Sequence, residues 1–170
     1  MGKWKWMPLM IALLIVCLNV GAGVYTAKNG TWWKYDEHEI PVSLEDLGIT
    51  GTDPYDREAD FSATPWLSEW YYSDGLEAEE EDAVSIYYTV YTTKNEKVYD
   101  ALLRESYLGD SWYAFKEVHE DAFRADQAYF DEQQNVWLLL KDNQIIAFEG
   151  DVHLNEQQKT IIGERLLGED

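Results

Sequence analysis

The chain has 170 residues, 46% hydrophobic and 15% aromatic, and its 33 acidic side chains against 13 basic ones give a formal charge of −20. Four of the basic residues precede the first acid, so residues 35–170 carry a net charge of −24. This charge repels nucleic acids and anionic lipid headgroups and therefore excludes both as partners. The 8 Trp and 12 Tyr residues exclude a disordered chain, because disordered segments are poor in large aromatic side chains.

Residues 7–25 form an uncharged apolar run behind a short segment with two lysines, and aromatic residues flank the run on both sides as they do at membrane interfaces. At about 1.5 Å per residue a helix of this length spans about 28 Å, close to the roughly 30 Å hydrocarbon layer of a bilayer. We therefore expect residues 1–25 to be a single-pass transmembrane anchor that leaves the C-terminal domain extracytoplasmic. A cleaved secretory signal is the alternative, because the most apolar part, residues 7–18, has the length of a signal-peptide core. Both interpretations export the acidic domain.

Residues 26–82 are rich in aromatic side chains, acids and turn formers, among them Pro41, Gly48, Pro54 and Pro65. These turn formers interrupt any long hydrophobic period. The composition predicts an irregular segment that precedes the core domain.

Residues 83–170 are regular and are predicted to form that core domain. Residues 84–92 are β-branched or aromatic at nearly every position, which predicts a strand with both faces partly covered. Thr93 and Glu96 have the spacing of a helix-capping box, and apolar residues then recur at helical spacing until Gly109. A helix of about 14 residues is therefore expected here.

Residues 112–118 and 125–130 are predicted strands, and residues 136–140 and 145–148 flank a polar connection typical of a β-hairpin. Asn155 and Gln158 then begin a last helix that Gly168 ends. This order predicts an α+β fold: a mostly antiparallel sheet with two helices on one face, behind the N-terminal transmembrane helix.

The sequence contains no complete catalytic motif. His119 and Glu120 begin a zinc-protease motif, but Phe123 stands where the second histidine is needed. If any acid–base pair exists, Glu120 and Asp126 beside Arg124 are the best candidates, although ordinary ion pairing around Arg124 explains them more simply. No catalytic residue and no cofactor is therefore assigned. The only cysteine, Cys17, lies in the apolar run, so the exported domain has no disulfide within the chain.

A calcium site is the only metal site that the sequence suggests. Four acids lie close together in a turn-rich segment, namely Asp53, Asp56, Glu58 and Asp60. Hard cations bind several oxygen ligands from one loop, but the central Gly and the final Glu of an EF-hand loop are missing.

Four segments resemble the extracytoplasmic part of uncharacterised membrane-anchored proteins of Gram-positive bacteria. They are HEIPVSLEDLGI at 38–49, ADQAYF at 125–130, VWLLLKDNQIIAFEG at 136–150 and LNEQQKTIIGERL at 154–166. The resemblance implies a location at the cell envelope and a small sensor-like domain. It carries no catalytic residue over to this chain.

Two hypotheses follow for the function. The first is a membrane-tethered extracytoplasmic binding or sensing module without a catalytic site, whose envelope protein, peptide or glycan partner contacts Trp66, Trp70, Tyr71 and Tyr72. The second is an envelope hydrolase that uses a carboxylate pair. A hydrolase needs a concave pocket with converging carboxylates, whereas a binding module needs an exposed aromatic surface.

Overall fold

The computed structural model describes residues 40–51, 55–76, 83–109 and 111–168. The expected membrane anchor over residues 1–25 lies outside these ranges. Within them, every helix is too short or too polar to cross a membrane.

One sheet of seven antiparallel strands organises the described chain, in the order β1-β2-β3-β7-β6-β5-β4. The strands are β1 Tyr55–Ala63, β2 Ser68–Leu76, β3 Val84–Thr92, β4 Lys116–Val118, β5 Gln127–Asp131, β6 Val136–Lys141 and β7 Gln144–Gly150. The helices are α1 Glu96–Leu102 and α2 Glu156–Ile162, continued by π-helical turns at Leu103–Leu108 and Gly163–Leu167, and a short 3-10 turn lies at Asp121–Phe123. The predicted α+β class with an antiparallel sheet is confirmed.

The prediction that residues 26–82 are irregular is wrong for residues 55–76, which form the hairpin of β1 and β2. Burial alternates at every position of β2, the two-residue period of a half-buried strand. The polar residues Ser68 and Asp74 at inward positions, and Tyr71 at an outward position, obscured this period in the sequence. The core therefore extends from Val42 to Leu167 and is not confined to residues 83–170.

Several predicted elements are confirmed with small changes of length. Strand β3 and the β6–β7 hairpin lie where the pattern placed them. The predicted strand over residues 112–118 is reduced to Lys116–Val118, because Tyr113 and Phe115 leave the sheet and pack on Tyr107. Asp131 holds this segment, since its carboxylate accepts the Ala114 N–H at 2.6 Å.

The two helices differ in how well their caps were predicted. Helix α2 has the expected capping box of Asn155 and Gln158, and the chain leaves it at Gly168 with a φ of 87°. The cap of α1 is Asn95, whose side chain accepts the N–H groups of the first turn, and not Thr93. Thr93 instead donates its hydroxyl to the carbonyl oxygen of Trp66, so it ties the β1–β2 turn to the start of α1.

The prediction that both helices lie on one face of the sheet is wrong. Each helix together with the π-helical turn that continues it is called the α1 or the α2 segment. Leu139 packs in a core with Ile162 and Leu166 of the α2 segment, whereas its neighbour Leu138 packs in a second core with Tyr107 of the α1 segment. Adjacent residues of a strand point to opposite faces, so α1 and α2 cover opposite faces. Strand β6 is buried at five consecutive positions, and this requires cover on both sides. We call the two sides the α1 face and the α2 face.

Candidate functional site

The α1 segment covers only half of its face. It packs over β5, β6 and β7, with Tyr107 against Leu138, Leu140 and Ile145. Apart from Tyr91, which packs against Tyr107, the α1-face positions of β1, β2 and β3 belong to neither core cluster of the described residues, and we call them the open strip. They are Asp56, Glu58, Asp60, Ser62, Glu69, Tyr71, Ser73, Gly75, Ser85, Tyr87 and Thr89.

None of the residues of the open strip is buried, whereas every α2-face position of β2 is buried. The two faces of the same strands therefore differ sharply in solvent contact. The strip is nevertheless rigid in its backbone, because β2 and β3 are paired along their whole length and are backed by the core on the other side. A preformed surface of this kind loses little conformational entropy when a partner binds.

The strip carries negative charge that no Lys or Arg of the described residues neutralises by an ion pair. Four of its side chains are acids, namely Asp56, Glu58, Asp60 and Glu69, and Glu149 of β7 lies at its border. None of the five forms an ion pair with any Lys or Arg in the described part of the chain, and the strip itself contains neither residue type. On the α2 face, by contrast, Asp74 is fully buried and paired with Arg57 at 3.2 Å.

Two tyrosines occupy the middle of the strip. Tyr87 is 41% exposed and Tyr71 is half-buried, and the register places them diagonally on neighbouring strands. Each has a carboxylate directly opposite on the next strand: Asp60 opposite Tyr71, and Glu149 opposite Tyr87. Directly opposed side chains have Cβ atoms about 4.5–5.5 Å apart, so each tyrosine and its acid form one contact unit.

Packed tyrosines close the strip on the side of α1. Tyr91 packs edge-on against Tyr107, with ring centroids 6.3 Å apart, and Tyr107 stacks on Tyr113 at 6.1 Å. Burial raises the pKa of Tyr91 and raises that of Tyr107 far more, because the phenolate is poorly solvated there. This wall is therefore neutral at physiological pH, and the charge of the surface lies within the strip.

The predicted aromatic surface of Trp66, Trp70, Tyr71 and Tyr72 is only partly accessible. Trp70 and Tyr72 are buried on the α2 face, and their assignment to a partner surface is corrected. They belong to a ladder of rings that crosses the sheet, with centroids 4.4 Å apart for Phe61–Trp70, 5.9 Å for Trp70–Tyr72, 4.9 Å for Tyr72–Tyr88 and 5.9 Å for Tyr88–Phe148. Tyr71 lies in the open strip, and Trp66 is 57% exposed in the β1–β2 turn. Sequence reasoning missed Tyr87, because β3 is aromatic or β-branched on both faces and its period is hidden.

A cleft of about 360 Å³ lies beside the short edge strand β4. Both carboxylates of the hypothetical catalytic pair, Glu120 and Asp126, line it. Each is already engaged: Glu120 accepts from the Lys159 ammonium and from the Ala122 N–H, and Asp126 accepts the N–H of Asp142 at 3.1 Å. The sequence suggested that Arg124 pairs with these two acids. It pairs instead with Glu164, at 2.8 Å.

The proposed calcium ligands do not converge where the structure describes them. Asp56, Glu58 and Asp60 are alternate residues of the extended strand β1, so their Cα atoms are about 7 Å apart in succession. Asp53 lies outside the described residues. The described ranges contain no group of three or more His, Cys, Asp or Glu side chains that could hold a metal ion.

Comparison of the chain with protein-family models, with curated proteins and with solved structures found no match. The resemblance to membrane-anchored proteins of Gram-positive bacteria therefore stays a prediction.

Proposed function

We propose that this chain is an extracytoplasmic binding or sensing module, tethered to the cell membrane through its N-terminal segment and without a catalytic site. The observation that carries the proposal is the open strip. In the described part of the chain, half of the α1 face carries no helix, and that half exposes Tyr87 and part of Tyr71 to solvent. Tyrosine supplies a large contact area at a low cost in side-chain entropy, and for this reason it is enriched where proteins bind partners.

The shape of the strip favours binding over catalysis. Its acids Glu58 and Asp60 are exposed on the surface of the sheet. Acid–base catalysis uses an enclosed site from which water is excluded, whereas recognition of a macromolecule uses an accessible surface with aromatic anchors and a polar surround. The strip has the second arrangement.

The proposed tether rests on the uncharged run over residues 7–25. A single span of this length would hold the domain at the outer surface of the membrane. Binding to envelope components at that surface would then be favoured by the high local concentration that tethering provides.

The experiment is photo-crosslinking in cells that express the full-length chain. A photoreactive phenylalanine analogue replaces Tyr87 in one strain and the exposed Gln157 of α2 in a control strain. We expect an envelope adduct from position 87 and none from position 157, with the full-length chain in the membrane pellet. Equal adducts from both positions, or none from position 87, would contradict a docking surface on the strip.

A second candidate function is an envelope hydrolase that uses Glu120 and Asp126, and it is favoured by the single fact that both carboxylates line the cleft. It predicts that the purified chain releases reducing ends from cell-wall glycan. Asp126→Asn would abolish that release, while Glu58→Gln on the strip would leave it unchanged. Such a result would replace the binding proposal.

A further inference from the structure

We infer that the open strip binds an arginine-rich, extended segment of a partner polypeptide. The inference rests on the proposed function and deepens it, because it states the chemistry of the partner. Three properties of the strip support it: its charge, the pairing of each tyrosine with an acid, and its dimensions.

The charge of the strip selects a cationic partner. Asp56, Glu58, Asp60, Glu69 and Glu149 have no ion-pair partner in the described chain, and a bound cation would supply one. An anionic partner would add like charge to a domain that already carries −24 over residues 35–170. A neutral partner would desolvate these carboxylates without compensation.

The two tyrosine–carboxylate units favour arginine over lysine. Asp60 lies opposite Tyr71, and Glu149 lies opposite Tyr87. A guanidinium group is planar, so it can stack on a tyrosine ring and donate N–H groups to the adjacent carboxylate at the same time. An ammonium group is a compact point charge that cannot stack in this way. The diagonal position of Tyr71 and Tyr87 allows two arginines to bind side by side.

The dimensions suit a short extended peptide. The strip includes residues 56–62 of β1, which span about 20 Å along the strand, and its three strands span about 10 Å across. An extended segment of about six residues covers that length, and it places alternate side chains on one side. A cationic amino-glycan would bring ammonium groups without a planar face, so a polypeptide fits the tyrosine–carboxylate units better.

The test measures the binding of defined peptides to the full-length chain in detergent, by fluorescence anisotropy at about 150 mM salt. The probe is a labelled ten-residue peptide of alternating Arg and Thr, in which all arginines face one side. The comparison probes replace Arg with Lys, or with neutral citrulline. We expect the arginine peptide to bind more tightly than the lysine peptide, and the citrulline peptide to show no measurable binding.

Two pairs of substitutions on the strip should weaken binding of the arginine peptide. Tyr71→Ser with Tyr87→Ser should cost about tenfold, because each cation–ring contact at an exposed site is worth about threefold. Asp60→Asn with Glu149→Gln should cost about fivefold. Circular dichroism should confirm that each variant keeps its fold, and either pair alone suffices to test the inference.

The matched control is Glu117→Gln with Asp121→Asn, which changes the net charge by the same amount at the cleft. Strand β4, which carries Glu117, is three strands from β7, so it lies about 14 Å from Glu149 at the border of the strip and farther from the strip itself. This exceeds the Debye length of about 8 Å at physiological ionic strength, so binding should weaken by less than about twofold.

Three outcomes would overturn the inference. The first is an equal loss of peptide affinity in the strip variants and in the control variant, which would mean that diffuse charge attraction causes the binding. The second is equal binding of the citrulline peptide, and the third is tighter binding of an amino-glycan oligomer than of the arginine peptide. A crosslink from position 87 together with any of these results would leave the docking surface in place and refute only its arginine specificity. If position 87 gives no crosslink and the arginine peptide does not bind, the proposed function is refuted as well.

Discussion

Gly163, at the junction of α2 and its π-helical turn, is the position where one methyl group should test the packing most directly. A Cβ atom built on Gly163 would lie 2.2 Å from the carbonyl oxygen of Phe123 and 2.6 Å from its carbonyl carbon. Both are backbone atoms of the 3-10 turn, so no flexible side chain can move aside. Gly163 itself has ordinary helical dihedral angles, with a φ of −59°, so Gly163→Ala introduces no dihedral strain.

Two effects of Gly163→Ala have opposite signs, and the structure decides between them. Helix propensity alone would stabilise the chain by about 1 kcal/mol, because alanine loses less backbone entropy than glycine. Overpacking of a tight contact costs about 1–3 kcal/mol, and contact with backbone atoms places this case at the upper end. We therefore expect the variant to be less stable by about 2 kcal/mol.

The assay is urea unfolding of the full-length chain in detergent, followed by tryptophan fluorescence, because Trp137 lies in ring contact with Phe123 at 4.9 Å. The matched control is Gln157→Ala on the exposed side of α2, which should change the free energy of unfolding by less than about 0.5 kcal/mol. An unchanged or raised stability in Gly163→Ala would refute the close approach of α2 to the 3-10 turn.

Three further predictions concern the core and its response to pH. Leu138→Ala and Leu139→Ala should each lower the free energy of unfolding by about 2–5 kcal/mol, because both side chains are fully buried on opposite faces of β6; a loss below about 1 kcal/mol at Leu138 would mean that α1 does not cover its face. Burial raises the pKa of Tyr107, so the contribution of this side chain to stability is complete below the unfolded tyrosine pKa of about 10 and is lost as pH rises above that value. The phenolate absorbance of one tyrosine should therefore appear only on alkaline unfolding. A difference spectrum against Tyr107→Phe would identify that tyrosine. Burial by itself would raise the pKa of Asp131, but the backbone N–H groups of Ala114, Gln134 and Gln133 lower it below its usual value. The contribution of Asp131 to stability is therefore complete above about pH 4 and is lost as pH falls. Asp131→Asn should flatten the acid limb of the curve of unfolding free energy against pH.

The sequence by itself determined the elements whose signals are local. The capping box of Asn155 and Gln158 defined the start of α2, because both partners lie within one turn. The β6–β7 hairpin followed from two apolar runs around a polar turn, and β3 from nine residues of high strand propensity. The α+β class required nothing beyond this order of elements. The absence of a complete catalytic motif and the charge of −24 over residues 35–170 were likewise readable from composition and spacing.

Only the tertiary structure decided which face each side chain occupies, and this determined the candidate site. The pattern in the chain shows that Trp70, Tyr71 and Tyr72 are adjacent, but the strand register buries the first and third and leaves Tyr71 in the strip. In the same way, β1 became a strand because β2 supplied its hydrogen-bond partners, although its own acids predicted a loop. The helices lie on opposite faces because β6 is apolar on both sides, and since α1 is too short to cover all of its face, the strip stays open. These outcomes depend on contacts between residues far apart in the chain, and local propensity contains no information about such contacts.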